Sequence, residues 1–146
     1  LTVKYTIEKF QPQHANYILS FGEVENFKID YNTQDLPTQD AWTGFYLGQP
    51  IVCGGIHSLW ETNNVAEVWV IMQRNANKHK LFMLKNIKKY LEDIINEKNY
   101  QRIQASIRAD FKDGIRFAEW FGMESEGLMR KYGPDGKDYL RLARII

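Results

Sequence analysis

Three basic side chains in a row, Lys78, His79 and Lys80, open the clearest helical pattern in the chain. Leu81, Leu84, Ile87, Leu91 and Ile94 follow at spacings of three or four, and Asn77 is the expected N-cap. The first turn of a helix carries unpaired N–H groups and the positive end of the helix dipole, so each cation there is disfavoured by ~0.3–1 kcal/mol. A chain that stacks Lys78, His79 and Lys80 at that point either tolerates the cost on a solvated surface or offsets it with a bound anion. The sequence leaves both readings open. Lys85, Lys88 and Lys89, further along, read as ordinary solvated helix surface.

Other reactive side chains read more plainly. Cys53 lies in a strand pattern between Val52 and Gly54 with no base beside it, which makes it a core residue rather than a nucleophile. His14, His57 and His79 are scattered without ligand spacing, so no metal site is expected. Trp42, Trp60, Trp69 and Trp120 read as core or cleft wall, because no basic stripe interleaves them as a base-stacking platform requires.

Composition sets the frame. A chain of 146 residues suits one compact domain, and 44% hydrophobic with 25% charged residues is globular rather than disordered. The net charge of +1 disfavours nucleic acid as a partner. One cysteine cannot form an intrachain disulfide, no apolar run approaches the ~20 residues of a membrane span, and no signal-peptide pattern opens the chain. The expected location is the cytoplasm, with no membrane partner.

These side chains need elements to hold them. Thr2 to Phe10 alternates as a first strand, and Ala15 to Phe21 is helical. Glu23 to Tyr31 is weakly helical, with a loop near Asp35-Leu36-Pro37. Ala41 to Leu47 and Ile51 to Leu59 form a hairpin about Gly48-Gln49-Pro50, and Gly54-Gly55 predicts a bulge or a close backbone approach. Val65 to Met72 is the strongest strand. After the basic helix come a strand at Arg102 to Ile107, a helix at Lys112 to Phe121 stopped by Gly122, and strands at Met123 to Lys131 and Asp138 to Ile145 about Gly133-Pro134-Asp135-Gly136. The order β–α–(α)–β–β–β–α–β–α–β–β is that of a mixed α+β domain.

That order, with Ala66-Glu67-Val68 opening the fourth strand and Phe117 to Gly127 closing a late helix, resembles the GCN5-related N-acetyltransferase (GNAT) superfamily. The resemblance covers Ala41 to Ile146 well and the first forty residues loosely. Arg130 to Asp138 (RKYGPDGKD) is further similar to GNAT-like proteins of short-tailed bacteriophages, some of them called internal virion proteins.

The resemblance implies a single-domain fold over residues 1–146, with a mixed, mostly antiparallel sheet of six or seven strands splayed between the fourth and fifth. It implies acetyl-CoA as co-substrate, an amine on a small molecule or protein as acceptor, and direct attack without a covalent intermediate. Glu67 takes the place of the general base. Ile71 and Met72 would offer backbone to the cofactor arm, and Asn77, Lys78, His79, Lys80 and Leu81 would hold the pyrophosphate. The family's small residues are missing there: Lys78 and Lys80 stand in glycine positions and Phe82 where glycine or alanine belongs. The general-acid tyrosine is also missing, Ala118 taking its place, and nothing in the sequence directs Tyr90, Tyr132, Tyr139 or Glu119 to the role. The rival expectation is therefore a catalytically silent scaffold binding other phage or host proteins, in the host cytoplasm or the virion.

Overall fold

The computed structural model describes residues 4–21, 33–60, 62–73 and 76–146. The start of the first expected strand and the weak helix at residues 23–31 lie outside them.

The elements, in order, are β1 (Tyr5–Lys9), α1 (Pro12–Phe21), a 3-10 turn (Thr33–Asp35), β2 (Ala41–Tyr46), β3 (Gln49–Ser58), β4 (Val65–Met72), a second 3-10 turn (Ala76–His79), α2 (Lys80–Lys98), β5 (Arg102–Arg108), α3 (Lys112–Trp120), β6 (Glu124–Met129) and β7 (Tyr139–Ile145). The fold class is α+β. Seven strands form one mixed sheet in the order β1-β2-β3-β4-β5-β7-β6. Residues cluster into two compact units, Leu1–His57 with Trp69–Ile94, and Ser58–Val68 with Ile95–Ile146.

In the first unit, β1 pairs antiparallel with β2, and β2 with β3. The β2–β3 turn is tighter than the sequence suggests. Tyr46 pairs with Gln49, so Leu47 and Gly48 alone make the turn, with φ of 49° and 81°. Positive φ at both central residues matches the right-handed twist of the flanking strands. Gln49 and Pro50 belong to β3.

The bulge falls elsewhere than Gly54-Gly55. Gly44 pairs with Val52 and Phe45 with Pro50, leaving Ile51 as the extra residue. The two glycines instead allow close approach: a Cβ on Gly54 would sit 2.6 Å from the Trp69 carbonyl oxygen, and one on Gly55 2.7 Å from Ala41 Cβ. β3 is buried along most of its length because both faces are packed. Cys53 joins Phe10, Ala15, Ile18, Leu36 and Ala41, while Ile51 and Val52 join Met83.

α2 buries Met83, Leu91, Ile94 and Ile95. Leu81, expected to begin its apolar stripe, is 84% exposed. The stripe starts at Met83, since the first α-helical residue is Lys80 and Leu81 points out from that opening turn. Asn77 is likewise no N-cap, because it lies inside the preceding 3-10 turn.

In the second unit, β4 and β5 run parallel, and β7 lies antiparallel between β5 and β6. α3 covers the face of Ile107: a Cβ on Gly114 would lie 3.3 Å from Ile107 Cγ2. Gly122, at φ 97°, ends α3 by donating to the Glu119 carbonyl at 3.0 Å.

Candidate functional site

The registered pairs of β4 with β5 are Val65↔Arg102, Ala66↔Ile103 and Glu67↔Gln104. β4 runs on to Met72 and β5 to Arg108. Among the described residues the ladder ends at Glu67, although neither strand does. On its other side β4 remains tied to β3, Gln73 N–H donating to the Ile51 carbonyl at 3.1 Å.

Ile71 and Met72 therefore lie on a stretch of β4 that pairs with one neighbour only. Their side chains alternate between two cores: Ile71 packs with Phe10, Ile18 and Cys53, and Met72 with Ile51 and Met83. What this stretch can offer a ligand is the backbone of an extended chain.

The same unit holds the start of α2. Asn77, Lys78, Lys80 and Leu81 are exposed, and neither the 3-10 turn nor the first turn of α2 contains an acidic residue. His79 is held from both sides. Its Nδ1 lies 2.7 Å from the Tyr5 hydroxyl, and its ring is 4.6 Å from that of Tyr46. Burial, followed by the neighbouring Lys78 charge, lowers the pKa of His79 below the ordinary histidine value. A neutral ring accepting the Tyr5 proton at Nδ1 carries its own proton on Nε2.

Phe82, one turn on, stacks on Tyr5 at 4.3 Å and fills the space over Gly44, where a Cβ would meet the ring at 3.0 Å. Beside it is an apolar cavity of about 50 Å³ bounded in part by Gly44, Val52, Val70, Phe82 and Met83. The bulky Phe82 is thus a packing residue.

A polyphosphate such as that of coenzyme A fits this helix start by charge. Lys78 and Lys80 supply ammonium groups, and neither the 3-10 turn nor the first turn of α2 brings a carboxylate of its own. Contact would come from side chains rather than from backbone freed by glycines.

Glu67 belongs to the second unit, where it is half-buried and level with Gln104. Registered partners on paired strands project to the same side of a sheet. Gln104 accepts from Arg102 Nε at 3.2 Å, and Glu126 takes the two terminal nitrogens of Arg102 at 3.0 and 2.5 Å. A carboxylate on this polar face could take a proton from an amine.

The remaining candidates stay apart from such chemistry. Ala118 is buried in α3. Tyr90 packs on Trp42 at 4.9 Å, Tyr132 is exposed beside Tyr139, and Glu119 is exposed. Cys53 is buried and its thiol pKa is pushed up by desolvation, in line with a core role. Trp69 packs against Phe10, whereas Trp60 and Trp120 are 60% and 49% exposed, so the expectation of a core position fails for these two. Trp60 sits in the β3–β4 connection and Trp120 at the end of α3. Among the described residues no three His, Cys, Asp or Glu side chains gather to hold a metal, and no helix is long and apolar enough to cross a membrane.

Two features escaped the sequence reading. The partnership of His79 with Tyr5 spans 74 positions and leaves no local signal. The polar face of β5 did leave a signal that went unused, since Arg102, Gln104, Ser106 and Arg108 alternate with Ile103, Ala105 and Ile107.

No protein-family model matches the sequence, and no curated protein matches it. Solved structures do resemble it. Ard1 from Thermoplasma volcanium superposes with a TM-score of 0.77 at 15% identity, over 99% of both chains. A GNAT-family acetyltransferase from Bacillus anthracis gives 0.72 at 16%, over 98% of this chain and 95% of that one. RimL, a ribosomal L7/L12 alpha-N-protein acetyltransferase in complex with coenzyme A, gives 0.73 at 12%, over 99% and 96%. At these identities the likeness is one of architecture: the chain has the GNAT fold.

Proposed function

We infer that this chain binds an acyl-CoA and acts as an N-acetyltransferase-like protein on an amine. The observation that carries the reading is the end of the β4–β5 ladder at Glu67↔Gln104, which leaves the edge of β4 beyond it without a strand partner. Support comes from the basic, carboxylate-free start of α2 and from a fold neighbour solved with coenzyme A.

In this reading Ile71 and Met72 hold the cofactor arm through their backbone, and Asn77 to Leu81 hold its phosphates, with Lys78 and Lys80 in place of the missing glycines. The bound thioester supplies an activated acetyl group. Glu67 takes the proton the amine loses as its nitrogen bonds to the acetyl carbon and the carbon–sulfur bond breaks. Water, in the absence of a side-chain acid at Ala118, supplies the proton to the departing sulfur.

Thermal unfolding with and without acetyl-CoA tests the first step. A ligand at 100 times its dissociation constant stabilises by ~2.7 kcal/mol, which raises the melting temperature measurably. No shift at millimolar acetyl-CoA would end this reading.

The buried Ala118 favours a second reading. A chain lacking the acid, and with altered phosphate-loop residues, serves as a scaffold that binds other proteins, as in assembly of a phage particle. Cofactor binding with no acetylation of any amine in a broad acceptor panel is the outcome that separates this reading from the first.

A further inference from the structure

The His79 ring is fixed beside the start of α2 by two strands of the first unit. Tyr5 of β1 meets it edge-on, with ring planes at 81° and the hydroxyl 2.7 Å from Nδ1. Tyr46 of β2 lies against it at 4.6 Å. Lys78 precedes it in the 3-10 turn and Lys80 follows it in α2, both exposed. The strands thus bring two phenols to the imidazole, and its own turn and α2 bring two ammonium groups. Neither the turn nor the first turn of α2 contains an acidic residue. Histidine is the side chain whose charge changes most readily between mildly acidic and neutral solution.

The clasp by Tyr5 fits both protonation states of the ring. A phenol hydroxyl donates or accepts, so it gives its proton to Nδ1 of the neutral imidazole and turns to accept from Nδ1–H of the imidazolium. The ring keeps its place while its charge changes. Burial, followed by the Lys78 charge, favours the neutral form. An anion held by Lys78 and Lys80 reverses that balance, because it offsets the repulsion between neighbouring cations and attracts the extra proton. Linkage makes the effect reciprocal: a ligand that favours the imidazolium is itself favoured as pH falls.

We propose that His79 couples pyrophosphate binding at the start of α2 to the uptake of a proton, so that the chain takes its cofactor more tightly in mildly acidic than in mildly alkaline solution. The inference rests on the cofactor site proposed above and adds to it a proton linkage that such a site can lack.

Calorimetry on the whole chain with dephospho-coenzyme A tests the linkage. This probe keeps the pyrophosphate as a diester and lacks the phosphate monoester, whose own titration near about pH 6 would blur the proton count. Titrations at about pH 6 and about pH 8, each in two buffers of different ionisation enthalpy, count the protons exchanged. The expected result is uptake of a fraction of a proton at the lower pH and none at the higher. Affinity should be about threefold tighter at the lower pH, the scale of one partly screened charge. His79→Gln should bind without uptake at either pH. Nuclear magnetic resonance on the unaltered chain gives a second measurement that needs no variant. Saturation with the probe should raise the titration midpoint of His79 and leave those of His14 on α1 and His57 on β3 where they are. Binding without uptake, uptake that survives His79→Gln, or a His79 midpoint that the probe does not move would each overturn the linkage and leave the cofactor site standing. Failure of the probe to bind at either pH overturns the linkage as well, while the acetyl-CoA melts decide the cofactor reading separately.

Discussion

His14 and Thr43 are joined at 2.8 Å between Nδ1 and the hydroxyl oxygen, and the same ring nitrogen accepts the Gln11 backbone N–H at 3.1 Å. The single Nδ1 lone pair is shared between the Gln11 N–H at the start of α1, in the way a third-position side chain reaches back to the N-cap, and the hydroxyl of a fully buried threonine of β2. The arrangement needs Nδ1 unprotonated.

A pH dependence follows. Burial lowers the pKa of His14, partly opposed by the charge of Glu8, and burial with Lys78 lowers that of His79. A histidine with a depressed folded value favours folding fully above its unfolded value and loses that contribution as pH falls through the folded one. Stability should be flat above the ordinary histidine value of 6.5 and decline below it. Urea midpoints at neutral and mildly acidic pH measure the decline, and His14→Gln should flatten part of it. An unchanged slope in that variant would mean that His14 does not carry the effect.

Gly55→Ala should destabilise the chain by ~1–3 kcal/mol, the usual cost of forcing atoms into a packed core. The new Cβ would sit 2.7 Å from both Ala41 Cβ and the Asp40 carbonyl oxygen, which is backbone and cannot turn aside. A denaturation midpoint equal to that of the unaltered chain would contradict the close approach of β2 and β3.

Arg108→Met tests the tie between β5 and the β6–β7 turn. The guanidinium is buried and Asp135 beside it is 10% exposed, so its loss leaves a carboxylate with little solvent. The expected loss is roughly 2 kcal/mol, below the full cost of breaking a buried pair, because Asp110 is open to water and screened. A doubly substituted Arg108→Met, Asp135→Asn chain should recover part of it in the same melts.

Lys78→Glu and Lys80→Glu should each weaken acetyl-CoA by about tenfold or more, the loss of one charge-assisted contact and its replacement by repulsion. The affinity of the unaltered chain should fall as salt is raised, since exposed charges are screened. Lys85→Glu, further along α2 on an exposed position, is the control. Equal effects at all three positions would point to general charge attraction rather than a site at the helix start.

Much of the architecture was legible in the sequence because its causes are local. A run of apolar, largely β-branched residues marks Val65–Met72 to the residue, and Gly122 stops α3 because only a residue without a Cβ adopts its positive φ without strain. Turn chemistry likewise separates β6 from β7. What the tertiary structure alone decided is which side chains meet. Leu81 and Met83 are both apolar and two residues apart, yet one is exposed and the other buried, since burial depends on what covers a helix face and not on the residue itself. The clasp of His79 by Tyr5 and the facing of Ser106 by Arg141 arise from pairings between distant segments, whose register no local pattern encodes.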